Sequence, residues 1–242
     1  MAHQEHFHRR MLEHRSALFA VLITVGISIG GLVEIVPMYS AQLGPEELEG
    51  VTHYSPLELA GRDIYIREGC YNCHSQMIRP FRSETLRYGE WSRAGEYAYD
   101  RPFQLGSRRI GPDLARVGGK YPDAWHYEHM RDPRSTSPGS IMPVYTWLLE
   151  DKFDVANIQA SVDAHRTLGA PYPEDLDVAA SLQADGQAIV DNLTGSGITA
   201  EPDDEIIALI AYMQKLGVDG KKALAASESD SDTATSVAAA GE

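Results

Sequence analysis

The sequence predicts a mainly α-helical protein with one apolar helix near its N-terminus and a helical domain behind it. Three observations carry this prediction. A predominantly apolar run covers Ala17 to Val36. Apolar residues recur at helical spacing from Leu57 to Gly69 and again in several segments after Glu150. Both cysteines of the chain fall in one short motif, Cys70-Tyr71-Asn72-Cys73-His74, directly after the first of these helical segments. The 242 residues suffice for one or two small domains. The expected divisions are an N-terminal segment over 1–16, an anchor over 17–38, a linker over 39–56, a folded domain over 57–219 and an unstructured acidic tail over 220–242.

The first sixteen residues are rich in histidine and arginine: His3, His6, His8 and His14, with Arg9, Arg10 and Arg15. A metal site there is disfavoured, because nothing packs around a terminus to orient the ligands. The apolar run that follows has twenty residues, which at about 1.5 Å per residue matches the ~30 Å hydrocarbon layer of a bilayer. A signal peptide has a shorter apolar centre and small residues before its cleavage site. Here Pro37-Met38-Tyr39 follows, so the segment reads as a retained anchor. The preceding arginines place the N-terminus in the cytoplasm and everything after Val36 outside. Gly26 and Gly30 form a G-x-x-x-G face with Glu34 one turn further on. Two readings of Glu34 stand: it packs against protein, or it snorkels to the headgroups.

Ser55 before Pro56 predicts a helix cap, and Leu57 to Gly69 a helix that feeds into the thiol motif. The motif reads C-x-x-C-H, the attachment signature of a c-type haem. Two thiols three positions apart can each form a thioether to a haem vinyl group, and the adjoining His74 imidazole ligates the iron. A thiol-redox pair and half of a zinc site compete with this reading. The first wants a βαβ context, and the second wants two further ligands at short spacing, which the sequence lacks. The motif therefore predicts one covalent haem c held by Cys70 and Cys73, with His74 as the first axial ligand.

The formal charge of −14 argues against nucleic acid as a partner. Its distribution is uneven, with Arg79, Arg82, Arg87, Arg93, Arg101, Arg108, Arg109, Arg116 and Lys120 between residues 75 and 120, and an acidic excess after Glu150. The basic stretch reads as a docking face for an acidic partner or for haem propionates; the acidic half, as a site for a basic donor or an ordinary solvated surface. The stretch from Ser75 to Arg109 has little periodicity and is expected to wrap the haem crevice or a partner.

An axial imidazole needs its second nitrogen tied to an acceptor. The Ile110-Gly111-Pro112-Asp113-Leu114 turn offers a rigid carbonyl, so Pro112 is the candidate, against the reading of a plain turn. Met142, in Ile141-Met142-Pro143, is the best sixth ligand, since a thioether favours ferrous iron and suits an electron carrier. Met77 lies too close to His74, Met130 and Met213 sit in helical patterns, and His126, His129 and His165 leave a bis-histidine alternative. Trp125, Tyr145 and Trp147 read as crevice walls or partner contacts, or as plain core aromatics. Two acidic amphipathic helices are predicted over Asp151–Leu168 and Pro173–Leu193. A final helix runs from Asp203-Asp204-Glu205 to Leu216, with Ile206, Leu209, Ile210 and Met213 on its core face, Tyr212 flanking them and Gly217 ending it.

The order helix, C-x-x-C-H, Gly-Pro-Asp-Leu, Met-Pro and closing helix resembles a class I cytochrome c, whose first and last helices cross over the haem. The fold class is thus mainly α: a single N-terminal transmembrane helix followed by a class I cytochrome c-like domain with extra loops and helices. The fuller pattern adds the anchor, G-C-Y-N-C-H-S-Q-M-I-R-P, Y-P-D-A-W-H and S-I-M-P-V-Y-T-W-L. It resembles the monohaem cytochrome c subunit (subunit II, FixO/CcoO type) of cbb3-type cytochrome c oxidases. The resemblance implies a subunit of an oxidase complex in a bacterial inner membrane, with its haem domain in the periplasm. Its implied partners are a catalytic haem b/copper subunit and a dihaem cytochrome c subunit. It implies His74 and Met142 as axial ligands, thioethers at Cys70 and Cys73, and no substrate-turnover site in this chain. The small subunit of a nitric oxide reductase and a freestanding anchored shuttle are the rival readings.

Overall fold

The computed structural model describes residues 8–9, 14–39 and 48–226. His3, His6, Arg10, residues 40–47 of the linker and residues 227–242 lie outside the described residues. The chain divides into two units, Met1–Pro45 and Glu46–Glu242.

The first unit holds α1, Ser16–Tyr39, predominantly apolar, with Glu34 its one charged residue. Its segment Ser16–Pro37 is long and apolar enough to cross a membrane. A helix apolar all round is suited to lipid or to a fully buried core, and Val21, Ile27 and Val33 stand exposed within this unit. Cβ positions at Gly26 and Gly30 have nothing within 4 Å.

The second unit is helical, with no strand among the described residues. It starts with α2, Pro56–Arg67, where Ser55 and Glu58 cap each other: the Glu58 amide donates to Ser55 Oγ at 3.3 Å and the Ser55 amide to Glu58 Oε2 at 2.7 Å. Pro56 occupies the first turn, where its missing N–H costs nothing. The core is the crossing of α2 with the last long helix, α8, Glu205–Lys215. Gly61 makes this crossing possible, because a Cβ there would overlap the Ala208 carbonyl. Burial along α8 is continuous from Glu205 to Met213. Tyr212 therefore does not flank the core, as its position in the helical pattern suggests, but lies fully inside it. Its hydroxyl bonds to the Gln76 side chain at 3.0 and 3.2 Å, which gives the polar tip a partner and permits burial.

The two acidic helices form, but both begin later than the sequence predicts. They are α6, Val155–Thr167, and α7, Val178–Gly195. Asp154 and Asp177 are the caps, accepting from Ala156 N and Ala180 N at 2.9 and 3.0 Å. Residues 151–153 are drawn away from α6 by extended pairing with 203–205, where Phe153 N donates to Asp203 O at 3.1 Å and Glu205 N to Asp151 O at 3.0 Å. Two shorter helices, α4 (Asp123–Arg131) and α5 (Pro133–Thr136), precede α6 in the chain.

The stretch expected to lack periodic structure contains a helix, α3, Arg82–Tyr88, and a helical turn at Ala94–Tyr97. Charge pairing rather than apolar spacing holds this region. Glu84, buried, accepts from the Arg79 amide at 2.8 Å, Arg79 Nε at 2.6 Å and Arg109 Nη2 at 2.7 Å. The Arg109 guanidinium, with Arg79 beside it, holds the Glu84 carboxyl down to about 2. Arg116 pairs with Glu96, both buried. Arg109 and Arg116 are thus spent inside the fold and Arg79, half-exposed, is paired to Glu84, so the basic face expected for an acidic partner or haem propionates falls to the members without a carboxylate partner. At the other end, residues 218–226 are helical, so the tail predicted to be unstructured from 220 is ordered over its first residues.

Candidate haem site

The C-x-x-C-H motif follows the end of α2. Gly69, at φ 69°, reverses the backbone, and Cys70–Asn72 form a single 3-10 turn. His74 N donates to Cys70 O at 2.9 Å, so one tight turn sets both thiols and the imidazole. Cys70 is half-buried against the core and Cys73 is exposed. Burial and then the Glu68 carboxylate push the Cys70 thiol up to about 12.

His74 lies against the Gly111-Pro112 turn. Its Nδ1 is 2.8 Å from the Pro112 carbonyl oxygen. A carbonyl only accepts, so Nδ1 carries the proton and Nε2 keeps a free lone pair. Burial lowers the pKa of this imidazole and favours the neutral form. Gly111 sits where a Cβ would run into the imidazole ring, so the glycine lets the turn close on His74. Its amide donates to Cys73 O at 2.9 Å.

Sequence reasoning named this turn but missed the residue that fastens it. Asp113 has a fully buried carboxylate. Oδ2 accepts from Ser75 Oγ at 2.6 Å and Met77 N at 3.0 Å, and Oδ1 from Ala115 N at 2.8 Å. Asp113 therefore staples the segment after His74 to the turn that carries Pro112. The Oδ1 bond two residues on is an Asx-type turn, which is the signal a Gly-Pro-Asp sequence offers.

Met142 comes from a separate loop, half-buried against the core, with its amide 3.2 Å from Ser140 Oγ. The residues after it meet the thiol motif. Trp147 Nε1 donates to Glu68 Oε2 at 3.2 Å, and the Tyr145 phenol is pushed up by burial and then by Cys70 and Cys73 beside it. The histidine alternatives have other attachments. His126 is buried edge-on to Tyr121 and Trp125, and His165 Nδ1 bonds to Ser161 O at 3.0 Å. His129 Nδ1 lies 2.6 Å from Thr136 Oγ1, with its ring stacked on Trp125.

The residues fit a haem. Two thiols and a neutral imidazole with a free Nε2 share one turn, and a methionine stands on a loop that packs beside them. Tyr71, Ile110, Ile141, Val144 and Trp147, on these same three segments, leave large apolar surfaces exposed, as a flat apolar cofactor requires of its surroundings.

The comparison with curated proteins gave no match. The family model described as cytochrome C oxidase, mono-heme subunit/FixO matches residues 8–219. That span includes α1, the α2–α8 crossing and every residue of the site described above. The single apolar helix, the cytochrome c-like domain behind it and this match agree, and the chain belongs to the FixO family of mono-haem cytochrome c oxidase subunits.

Proposed function

We propose that this chain is the membrane-anchored electron-relay subunit of a cbb3-type oxidase. It carries one haem c, bound through thioethers from Cys70 and Cys73, and passes electrons from a dihaem cytochrome c subunit to the haem b/copper subunit that reduces oxygen. His74 and Met142 would hold the haem iron, and the Pro112 carbonyl orients the imidazole. The observation that carries this reading is the 2.8 Å bond between His74 Nδ1 and the Pro112 carbonyl, on the same turn as both thiols. It fixes the tautomer whose Nε2 can ligate iron and raises that nitrogen's basicity. The bound haem supplies a reversible one-electron couple at iron. The protein's part is to orient His74, offer a neutral thioether from Met142 and keep the centre in a partly apolar setting. A redox dithiol reading fares worse, because such pairs stand in a βαβ setting and this unit is helical, with no strand among the described residues. Arg9 and Arg15 before α1 support a cytoplasmic N-terminus and a periplasmic haem domain.

Purification of the tagged chain from native membranes in mild detergent tests the reading. Covalent haem c together with haem b, copper and oxygen uptake supports it. Haem b without copper, with nitric oxide uptake, would move the chain to a reductase, and haem c with no other subunit would leave a lone carrier. A narrower test concerns the sixth ligand. Met142→Ala is expected to keep haem on the polypeptide, abolish the thioether–iron charge-transfer band and lower the potential by roughly 0.1 V or more, within the ~0.8 V range that axial ligands span. An unchanged band in the oxidised spectrum would assign the ligand to another residue.

A further inference from the structure

The ledge from Arg79 to Arg87 supplies none of the thiol, imidazole or methionine groups of the candidate site, and its side chains at Phe81 and Leu86 are exposed. Phe81, at the N-cap of α3, is 58% exposed and Leu86, in its last turn, is 77% exposed. Around them, Arg82 and Arg87 are exposed and have no carboxylate partner among the described residues, while the Arg79 guanidinium lies 5.7 Å from the Phe81 ring centroid. This apolar and cationic ledge stands on a chain of net charge −14.

We propose that this ledge is the surface on which a neighbouring oxidase subunit seats, through an apolar patch ringed by carboxylates. The proposal rests on the oxidase reading above and adds the place and chemistry of the contact. Aromatic and arginine side chains around an apolar centre are what protein interfaces select. The guanidinium forks match carboxylates in pairs. The ledge is also held in advance, since Glu84 bonds to Arg79 on its outer side and to Arg109 on its inner side. A partner therefore finds an ordered surface and spends little on ordering it. A lipid headgroup layer asks for no such fixed geometry, so the occupant assigned is protein. A second copy of this chain, with its acidic α6–α7 half, is the other protein the charge would admit; membership of an oxidase subunit family favours a different subunit.

The same bonds tie the ledge to the haem site. Arg109, which grips Glu84, also donates to Ser75 Oγ and Met77 O, both at 2.7 Å. Ser75 follows His74 directly. A subunit seated on α3 is thus held at a set position relative to the imidazole, which is what tunnelling between two redox centres demands of a complex.

The test uses the full chain in its native complex. A photoreactive phenylalanine at Leu86 is irradiated in intact membranes, and the adduct is identified by mass spectrometry. In parallel, Arg82→Glu with Arg87→Glu is purified by a tag on this chain, and co-purified subunits are measured against covalent haem. The expected adduct is with an oxidase subunit, at an acidic segment. The charge reversals are expected to cut recovery of that subunit about ten-fold with haem per chain unchanged. An adduct with lipid alone or with a second copy, no adduct from an intact complex, or full recovery of the charge-reversed variant overturns the ledge. Failure of the unmodified chain to bring down any oxidase subunit overturns the oxidase reading itself, and the ledge with it.

Discussion

Gly61→Ala is expected to destabilise the haem domain by about 3 kcal/mol, the upper end of the usual cost of overpacking a core. On helix propensity alone, alanine is the better residue by about 1 kcal/mol. The crossing reverses that sign. A Cβ at Gly61 would overlap the Ala208 carbonyl and lie 2.8 Å from Tyr212 Cβ. Two of these obstacles belong to the α8 backbone and to the root of a side chain, so neither can swing aside. The helices must separate, and the apolar side chains they share lose contact along the whole crossing. For a domain of this size the loss lowers the thermal midpoint by roughly 6–12 °C. Gly195→Ala is the control, since nothing lies within 4 Å of its Cβ position. That variant should melt like the parent protein, and equal melting of Gly61→Ala would mean that the close approach of α2 and α8 is wrong.

Asp100→Leu is expected to cost about 3–5 kcal/mol, the penalty for leaving a buried charge without its partner. Arg62 and Asp100 are each only 2% exposed, and Arg62 Nε meets Asp100 Oδ1 at 2.5 Å. Arg62 Nη2 donates to Pro102 O, and Asp100 Oδ2 accepts from Gln104 N at 3.1 Å. Without the carboxylate, Arg62 keeps one carbonyl and a distant Asp63 at 3.9 Å. The double variant Arg62→Met with Asp100→Leu removes both charges and should recover most of the loss, because apolar replacement of a buried pair is often neutral. Chemical denaturation of the four proteins measures this as a coupling energy. Additive losses would show that the two side chains do not form the pair.

Much of the site is local in the chain, and what is local was legible. The C-x-x-C-H motif, the Ser55 cap and the α1 span each lie within one turn or one helix, so their chemistry follows from spacing. The Pro112 turn was found by asking what an axial imidazole needs, although that reasoning located only the carbonyl. Asp113, beside it, was missed because its partners Ser75 and Met77 lie 38 and 36 residues away. Hydrogen bonds over such distances leave no periodic mark.

The sequence by itself determined the apolar span, the thiol–imidazole motif, the capped helix before it and the apolar face of α8. Each depends on backbone periodicity or on neighbours in the chain. Only the tertiary structure decided which arginines are paired with a carboxylate and which are not. Arg79 and Arg109 close on Glu84, Arg116 on Glu96 and Arg62 on Asp100, while Arg82 and Arg87 stay exposed. It also decided that α3 forms in an aperiodic stretch and that Tyr212 turns inward to Gln76, 136 residues away. The reason is physical. A charge or a hydroxyl becomes buried only where folding delivers a partner, and that partner is chosen by the packing of helices rather than by position along the chain.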